Sequence, residues 1–140
     1  MGTEVLSGDK SVRVAARVMI ALLFLYSGIG KILAPALFIG AIAHVGLPLP
    51  QVCYVGAILL ELGVGLSFAF GFQTRIAAWV LGIYCLVTAA LFHLELSNPQ
   101  QTIQVLKNLA IAGGLLPYAF AGRSLAGSAQ PAGAGTVGRA

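Results

Sequence analysis

The sequence predicts an all-α integral membrane protein, a four-helix bundle with a short interfacial or re-entrant segment between its first and second spans. Of the 140 residues, 59% are hydrophobic and only 9% are charged, whereas a typical soluble domain carries about 25% charged residues. Four apolar runs each approach the roughly 20 residues that an α-helix needs to cross a bilayer. We therefore expect one membrane domain over 12–122, a cytoplasmic tail at 1–11, and a disordered, glycine- and alanine-rich cytoplasmic tail at 123–140.

The first predicted span covers about 14–34 and is followed by Pro35, whose missing backbone donor should stop the helix. A cleaved signal peptide is the alternative, because basic residues precede the apolar run and 34–36 resembles a small-residue cleavage site. The length of the run and the position of Lys31 just before that site favour a retained span. Residues 36–46 are too few to cross, so they are expected to form the interfacial or re-entrant segment.

The second to fourth spans are expected at about 52–71, 75–94 and 100–120. Gly71 should end the second span, and Thr74 is the predicted N-cap of the third. Each prediction depends on an apolar run that is bounded by glycine, proline or short polar residues.

The start of the fourth span has the clearest signal. Asn98 can cap the helix, Pro99 suits the first helical position, and Gln101 occupies the place of a capping-box partner. Pro117 lies near the other end of this span, where a proline can kink the last turn.

Basic residues predict the orientation of the spans. Six of them lie on the side of the two termini: Lys10, Arg13, Arg17, Arg75, Arg123 and Arg139. The other side has only Lys31 and Lys107. Because cytoplasmic segments carry the excess of lysine and arginine, both termini are predicted to be cytoplasmic in a multi-pass protein of the cell inner membrane. Arg17 and Arg75 are assigned to the interface or to helix capping, and this spread of basic residues argues against a nucleic-acid partner.

One carboxylate, Glu61, lies near the middle of the second span. A charge there costs about 2.5 to 3.5 kcal/mol on insertion scales, so it normally faces the bundle interior and finds a partner. Counting inward along each helix places polar groups from all four spans in the outer half of the membrane. The predicted ligand-binding or polar pocket consists of Lys31, Glu61, His93, Lys107 and Asn108. The small residues Ala110 and Gly114 share a stripe with Lys107, which is expected to face inward.

Two interpretations of these intramembrane charges stay open. In the first, the pocket binds a small membrane-soluble ligand, to which Lys31, Lys107 or His93 donates while Glu61 relays a proton. In the second, Glu61 forms an ion pair with Lys31 or Lys107 that only fixes the register of the helices. Lys31 alone can also extend to the lipid headgroups. Replacing Glu61 by glutamine separates the two, since a pocket should keep its fold and lose its ligand, whereas a structural pair should lose stability.

Neither a metal site nor a disulfide is predicted. Cys53 and Cys85 lie in apolar runs without CxxC or cysteine–histidine spacing, and their depths differ by roughly 10 to 15 Å, too much for a bridge. The sequence also has no haem-ligand histidine pair, cysteine cluster or nucleotide-binding loop. No cofactor is therefore evident in the sequence, and whether the chain is itself an enzyme stays open.

Several short motifs form an ordered set across 14–116. They are Arg17 with LFLYSGIGK at 23–31, ELGVGL at 61–66, GFQTRIAA at 71–78, FH at 92–93, and KNLA at 107–110 with Gly113 and Gly114. Together they resemble the DoxX family of small four-span membrane proteins. The resemblance implies a four-helix membrane domain and a link with quinol or thiosulfate oxidation complexes, with thiol and oxidative-stress systems, or with quinone resistance.

The leading hypothesis is therefore an accessory component of a membrane redox or quinone-linked system. A quinone is the candidate ligand or cofactor, and a subunit of a quinone-linked oxidoreductase is the candidate enzymatic role. The expected partners are the lipid bilayer and either redox-complex subunits or further copies of the chain. The first alternative is a structural or assembly protein whose charges form only an ion-pair network. The third hypothesis, an oligomeric small-molecule transporter, is disfavoured because the four short spans show no inverted repeat or broken central helix.

Overall fold

The computed structural model describes the backbone of residues 2–121 and the side chains of 10–121. Over that range the chain contains only helices and their connections, so the prediction of an all-α fold is confirmed. The helices are α1 (Gly2–Leu33), α2 (Pro35–His44), α3 (Pro50–Leu59), α4 (Gly65–Phe70), α5 (Thr74–Phe92) and α6 (Pro99–Ala119). A π-helical turn at Leu60–Val64, here called the π turn, joins α3 to α4 in one continuous helical segment. The predicted C-terminal tail at 123–140 lies outside the described residues.

Three helical stretches in the described part of the chain are long and apolar enough to cross a membrane. They are Lys10–Leu33, Pro50–Phe70 and Thr74–Phe92. The protein is therefore a helical membrane bundle. Helix α6 has 21 residues and is long enough to cross, but it is not apolar enough to be counted with them. Its polar residues lie mostly in its first half: Gln100, Gln101, Thr102, Gln104, Lys107 and Asn108. A crossing by α6 stays a prediction.

The helices end where proline and glycine predict, whereas the caps predicted from polar residues agree less well with the structure. Helix α1 ends at Leu33 and Pro35 begins α2, as expected, while the backbone of the predicted N-terminal tail is already helical from Gly2 onwards. Gly71 ends α4 in the left-handed conformation, with φ +81°, which glycine adopts without a steric penalty. The short α2 has the length expected for an interfacial or re-entrant segment.

Two predicted caps differ from the structure. Thr74 is the first residue of α5 rather than its N-cap, because the chain enters the helix from Gln73 in the left-handed conformation. Asn98 does cap α6, since its Oδ1 accepts a hydrogen bond from the Gln100 amide at 3.0 Å. Gln101 does not complete a capping box, because its side chain meets His93 and the Asn98 amide donates to the Glu95 carbonyl.

The buried core lies where α1, α4, α5 and α6 meet. Its largest side chains are Phe24, Phe68, Leu81 and Leu115, and the alanines around them let the helices approach closely. Helices α5 and α6 form an antiparallel hairpin with the most extensive interface in the described bundle. Helix α1 packs against the π turn and α4, which brings the first two predicted spans together around Glu61.

Candidate functional site

Glu61 lies in the π turn, where the second span departs from regular α-helical geometry. Such turns are rare and are found frequently at functional sites. Helix α1 touches the turn through Gly28, where an added Cβ would lie 2.7 Å from Leu62 Cδ2 and 3.3 Å from Glu61 Cβ. An added side chain would force Leu62 to shift, so the missing side chain of Gly28 allows the carboxylate to lie close to α1.

The Glu61 carboxylate forms an ion pair with Lys31. Lys31 Nζ lies 2.8 Å from Oε1 and 2.9 Å from Oε2 of Glu61, and it also donates to Ser27 Oγ at 2.9 Å. The two charged side chains are 12% and 4% exposed. Since a lysine ammonium has three N–H donors, the three oxygens around Lys31 use all of them. Of the two partners left open by the sequence, Lys31 is the one that pairs with Glu61.

Tyr84 connects this pair to α5, because its hydroxyl donates to Glu61 Oε1 at 2.7 Å. Ser27, Lys31, Glu61 and Tyr84 are here called the charge network. Tyr84 and Ser27 were not among the residues predicted from the sequence. Their signal was present, since Ser27 stands one turn from Lys31 on α1 and Tyr84 lies near the middle of the third span, at a depth that the carboxylate can reach.

Aromatic residues from neighbouring helices cover the Lys31 side of the charge network. The Phe38 ring of α2 has its centroid 4.8 Å from Lys31 Nζ, a distance at which a cation is attracted to the ring face. The Tyr54 hydroxyl of α3 donates to the Lys31 backbone carbonyl at 2.9 Å, which satisfies an acceptor in the last turn of α1. The short α2 therefore shields the ion pair.

The other three residues of the predicted pocket lie apart from the charge network. His93 Nδ1 is 2.6 Å from Gln101 Oε1, at the connected ends of α5 and α6. Lys107 is exposed on α6, and within the described range it has no ion-pair partner. Asn108 is only 9% exposed, and no side chain of 10–121 forms a hydrogen bond with its amide. Lys107 and Asn108 are here called the α6 polar pair.

Helix α6 buries a different stripe from the one that the sequence predicted. Lys107 and Ala110 are exposed, so the prediction that they face inward is wrong. Gly114 is also exposed but lies against α1, since an added Cβ would be 3.6 Å from Ile20 Cδ1. The inward stripe consists of Asn108, Leu115 and Ala119.

Two concavities of the described surface are apolar. One of about 450 Å³ is open and lies along α3, and one of about 60 Å³ lies between α5 and α6 beside Trp79 and Leu115. Neither is lined by the charge network or by the α6 polar pair. The charge network is closed, because the Lys31 and Glu61 side chains are almost fully buried.

Comparison with known proteins identifies the family. The DoxX family model matches residues 12–94, well over half of the chain. The chain belongs to the DoxX family. It is similar to the inner membrane protein YqjF of Escherichia coli (strain K12), with 38% identity over 110 residues that cover 76% of this chain and 81% of that protein. It is also similar to the inner membrane protein YphA of the same strain, with 28% identity over 113 residues that cover 76% and 80%. No solved structure matches the chain significantly.

These similarities and the three apolar helices identify a DoxX-family inner-membrane protein. The family match includes all four residues of the charge network and also His93. It ends before α6, so the α6 polar pair lies outside it. The DoxX match therefore covers the closed ion pair and leaves out the open polar groups.

Two arginines of this DoxX-family chain were assigned to the interface or to capping. Arg17 Nε donates to the Ala69 carbonyl at 3.1 Å, and its guanidinium lies within 2.9 to 3.1 Å of the place where Gly71 would carry a Cβ. It therefore stabilises the last turn of α4, where a cation also interacts favourably with the helix dipole. Arg75 is exposed at the start of α5, and its assignment stays a prediction.

The described cysteines and histidines do not cluster. Cys53 and Cys85 are both free, and Cys53 Sγ donates to the Pro48 carbonyl at 3.3 Å. Within the described residues no three His, Cys, Asp or Glu side chains lie close enough together to hold a metal ion.

Proposed function

We propose that this DoxX-family inner-membrane protein is an accessory component of a quinone-linked membrane redox system, and that its outer-half polar groups bind the head group of a quinone. The observation that carries the proposal is the α6 polar pair. It offers an ammonium and an amide with unused hydrogen-bonding capacity on a helix that packs within a membrane bundle. In hydrocarbon such groups favour any ligand that supplies an acceptor.

A quinone carbonyl suits this pair in chemistry and in depth. Lys107 is the ninth residue of α6, so its Cα lies about 12 Å along the helix from Pro99. A phospholipid phosphate lies nearer the bilayer surface, whereas a quinone ring moves within the apolar layer and presents two acceptor oxygens. A hydrogen bond from a charged donor contributes about 1.5 to 3 kcal/mol.

The other predicted donors are already occupied. Lys31 has its three donors on Ser27 and Glu61, and His93 meets Gln101. We therefore assign the quinone contact to the α6 polar pair and a supporting role to the charge network, which holds α1, the π turn and α5 together. Electrons would come from a partner redox subunit, which is the protein partner that this proposal requires.

The proposed topology has α6 as the fourth span and both termini in the cytoplasm. It is supported by the antiparallel packing of α6 on α5 over most of its length. Reporter fusions after Gly46 and Asn98 should then report the outside, and fusions after Gln73 and Gly127 the cytoplasm. A reversed result at any two of these sites would contradict the depth assignment.

The quinone contact is tested by purification in mild detergent and mass spectrometry of the co-extracted lipids and quinones. Wild-type protein should be enriched in one quinone relative to bulk lipid. Lys107→Met should lower the quinone content by about tenfold or more, as expected for the loss of one charge-assisted hydrogen bond. Arg75→Met is the matched control, since it removes an exposed cation away from the α6 polar pair, and its quinone content should stay unchanged.

A structural or assembly function is the second candidate, and the closed charge network favours it. All donors of Lys31 are used and Tyr84 adds a third contact to the carboxylate, as expected where charges only fix the register of helices. Ordinary lipids together with a stable co-purifying protein would support this candidate and contradict quinone binding.

A further inference from the structure

The α5-facing side of α6 is polar in its first half and apolar in its second. Gln101, Gln104 and Asn108 are spaced by three and four residues, so they form one stripe along the helix. Gln101 and Gln104 are half-buried and Asn108 is buried, whereas Leu115 and Ala119 continue the stripe in the core. His93 and the three amide residues are here called the polar seam.

The polar seam runs toward the charge network. In the antiparallel hairpin His93 pairs with Gln101, and Gly82 faces Leu115. Interpolation between these two contacts places Asn108 opposite residues 87–88 of α5. Tyr84, which donates to Glu61, lies one helical turn further along α5, about 5 Å away. The seam therefore leads from the α5–α6 connection to within one turn of the buried carboxylate.

Asn108 has unused hydrogen-bonding capacity at the inner end of the seam. Its amide has no partner among the described side chains, yet none of the fully enclosed side-chain nitrogen and oxygen atoms in the described range lacks a partner. The amide atoms of Asn108 are therefore not fully enclosed. Leaving them bare in hydrocarbon would cost several kcal/mol.

Water satisfies these groups better than an apolar occupant does. A bound water needs two to four polar partners, and successive amides of Gln101, Gln104 and Asn108 supply them along the stripe. We propose that the polar seam is hydrated and forms a narrow water route from the α5–α6 connection to Asn108, through which the charge network exchanges protons with one face of the membrane. Tyr84 is the group of the network nearest to this route. The inference does not depend on the identity of the ligand at Lys107.

The test is the accessibility of single cysteines in the full chain in membrane vesicles. Gln104→Cys and Asn108→Cys probe the seam, and Ile103→Cys and Leu109→Cys are matched controls at neighbouring depths on the exposed apolar face of α6. All four carry Cys53→Ala and keep the buried Cys85, and the parent chain with Cys53→Ala gives the background. The probe is a membrane-impermeant cationic methanethiosulfonate, which reacts only with a thiol that ionises in water.

We expect Gln104→Cys and Asn108→Cys to react at least about tenfold faster than both controls, and from the face that carries the α5–α6 connection. Equal rates at seam and control positions, or labelling from the opposite face alone, would overturn the route. Gln104 is only half-buried, so Gln104→Cys keeps the test decisive if Asn108→Cys does not fold. An unreactive seam in a protein that retains its quinone would sink this inference and leave the proposed function standing.

Discussion

Lys31 and Lys107 are two lysines placed in predicted spans of the same bundle, and their surroundings are opposite. The Lys31 ammonium meets three oxygens within 2.9 Å and is covered by Phe38. The Lys107 ammonium is exposed beside an amide that has no partner among the described side chains. An intramembrane charge therefore does not by itself indicate a ligand site. The number of donors and acceptors already used decides whether a charged group holds the fold or is available to bind.

Breaking the Lys31–Glu61 ion pair should have the largest effect on stability. Glu61→Leu leaves the Lys31 ammonium buried without its counter-charge, and breaking a buried pair costs about 3 to 5 kcal/mol in soluble cores. We expect a comparable loss in the free energy of unfolding, measured by denaturant titration in detergent. Glu95→Gln, at an exposed carboxylate, is the control and should change little.

A double substitution tests whether the ion pair is the source of this loss of stability. Lys31→Met combined with Glu61→Leu removes both charges, so it should recover much of the stability that Glu61→Leu loses. If the double variant were no more stable than Glu61→Leu, the ion pair would not be the source of the effect.

Disrupting the close approach of α1 to the π turn should have the next largest effect on stability. Gly28→Ala places a Cβ 2.7 Å from the Leu62 side chain, and such overpacking typically costs about 1 to 3 kcal/mol. Gly30→Ala is the matched control on the same helix, because its Cβ would meet nothing within 4 Å and alanine favours the helix. Thermal unfolding should therefore separate the two variants, and equal melting temperatures would show that the helices do not approach closely at Gly28.

Removing one hydrogen bond from the charge network should have the smallest effect on stability. Tyr84→Phe deletes the donor to Glu61 Oε1 and leaves the Lys31 contacts intact. Hydrogen bonds between membrane helices contribute about 0.6 kcal/mol on average and at most about 1.7 kcal/mol, so a loss in that range is expected on chemical denaturation. Tyr26→Phe, at a residue that is 81% exposed, should show no loss, and equal values for the two variants would place Tyr84 outside the network.

The sequence predicts the helix ends well and the rotation of the helices poorly. Apolar length and the signals at Pro35, Gly71 and Asn98 locate the helix ends, because these residues restrict the backbone locally. Thr74 failed as a cap because the conformation of Gln73 decides where α5 begins. Gln101 failed as a capping-box partner because His93, eight residues earlier along the chain, competes for its side chain.

The rotation of the helices also limited the prediction of the site. Counting residues brought Lys31, Glu61 and Lys107 to one region, but which lysine pairs with Glu61 depends on the rotation of each helix about its axis. The π turn alters that rotation, and no local sequence signal predicted it. The polar residues of α6 do not indicate its orientation either, since adjacent positions such as Lys107 and Asn108 point about 100° apart and only packing on α5 selects Asn108 as the buried one.

One experiment tests the contrast between the charge network and the α6 polar pair most directly. Thermal stability and quinone content are measured on the same purified preparations of Glu61→Gln and Lys107→Met. Because the charge network is closed, Glu61→Gln should lose stability sharply and keep its quinone content per folded protein. Lys107→Met should show the reverse, with nearly unchanged stability and the quinone lost. A Glu61→Gln protein that melts like the wild type but has lost its quinone would contradict the assignment, and would make the buried carboxylate a ligand contact.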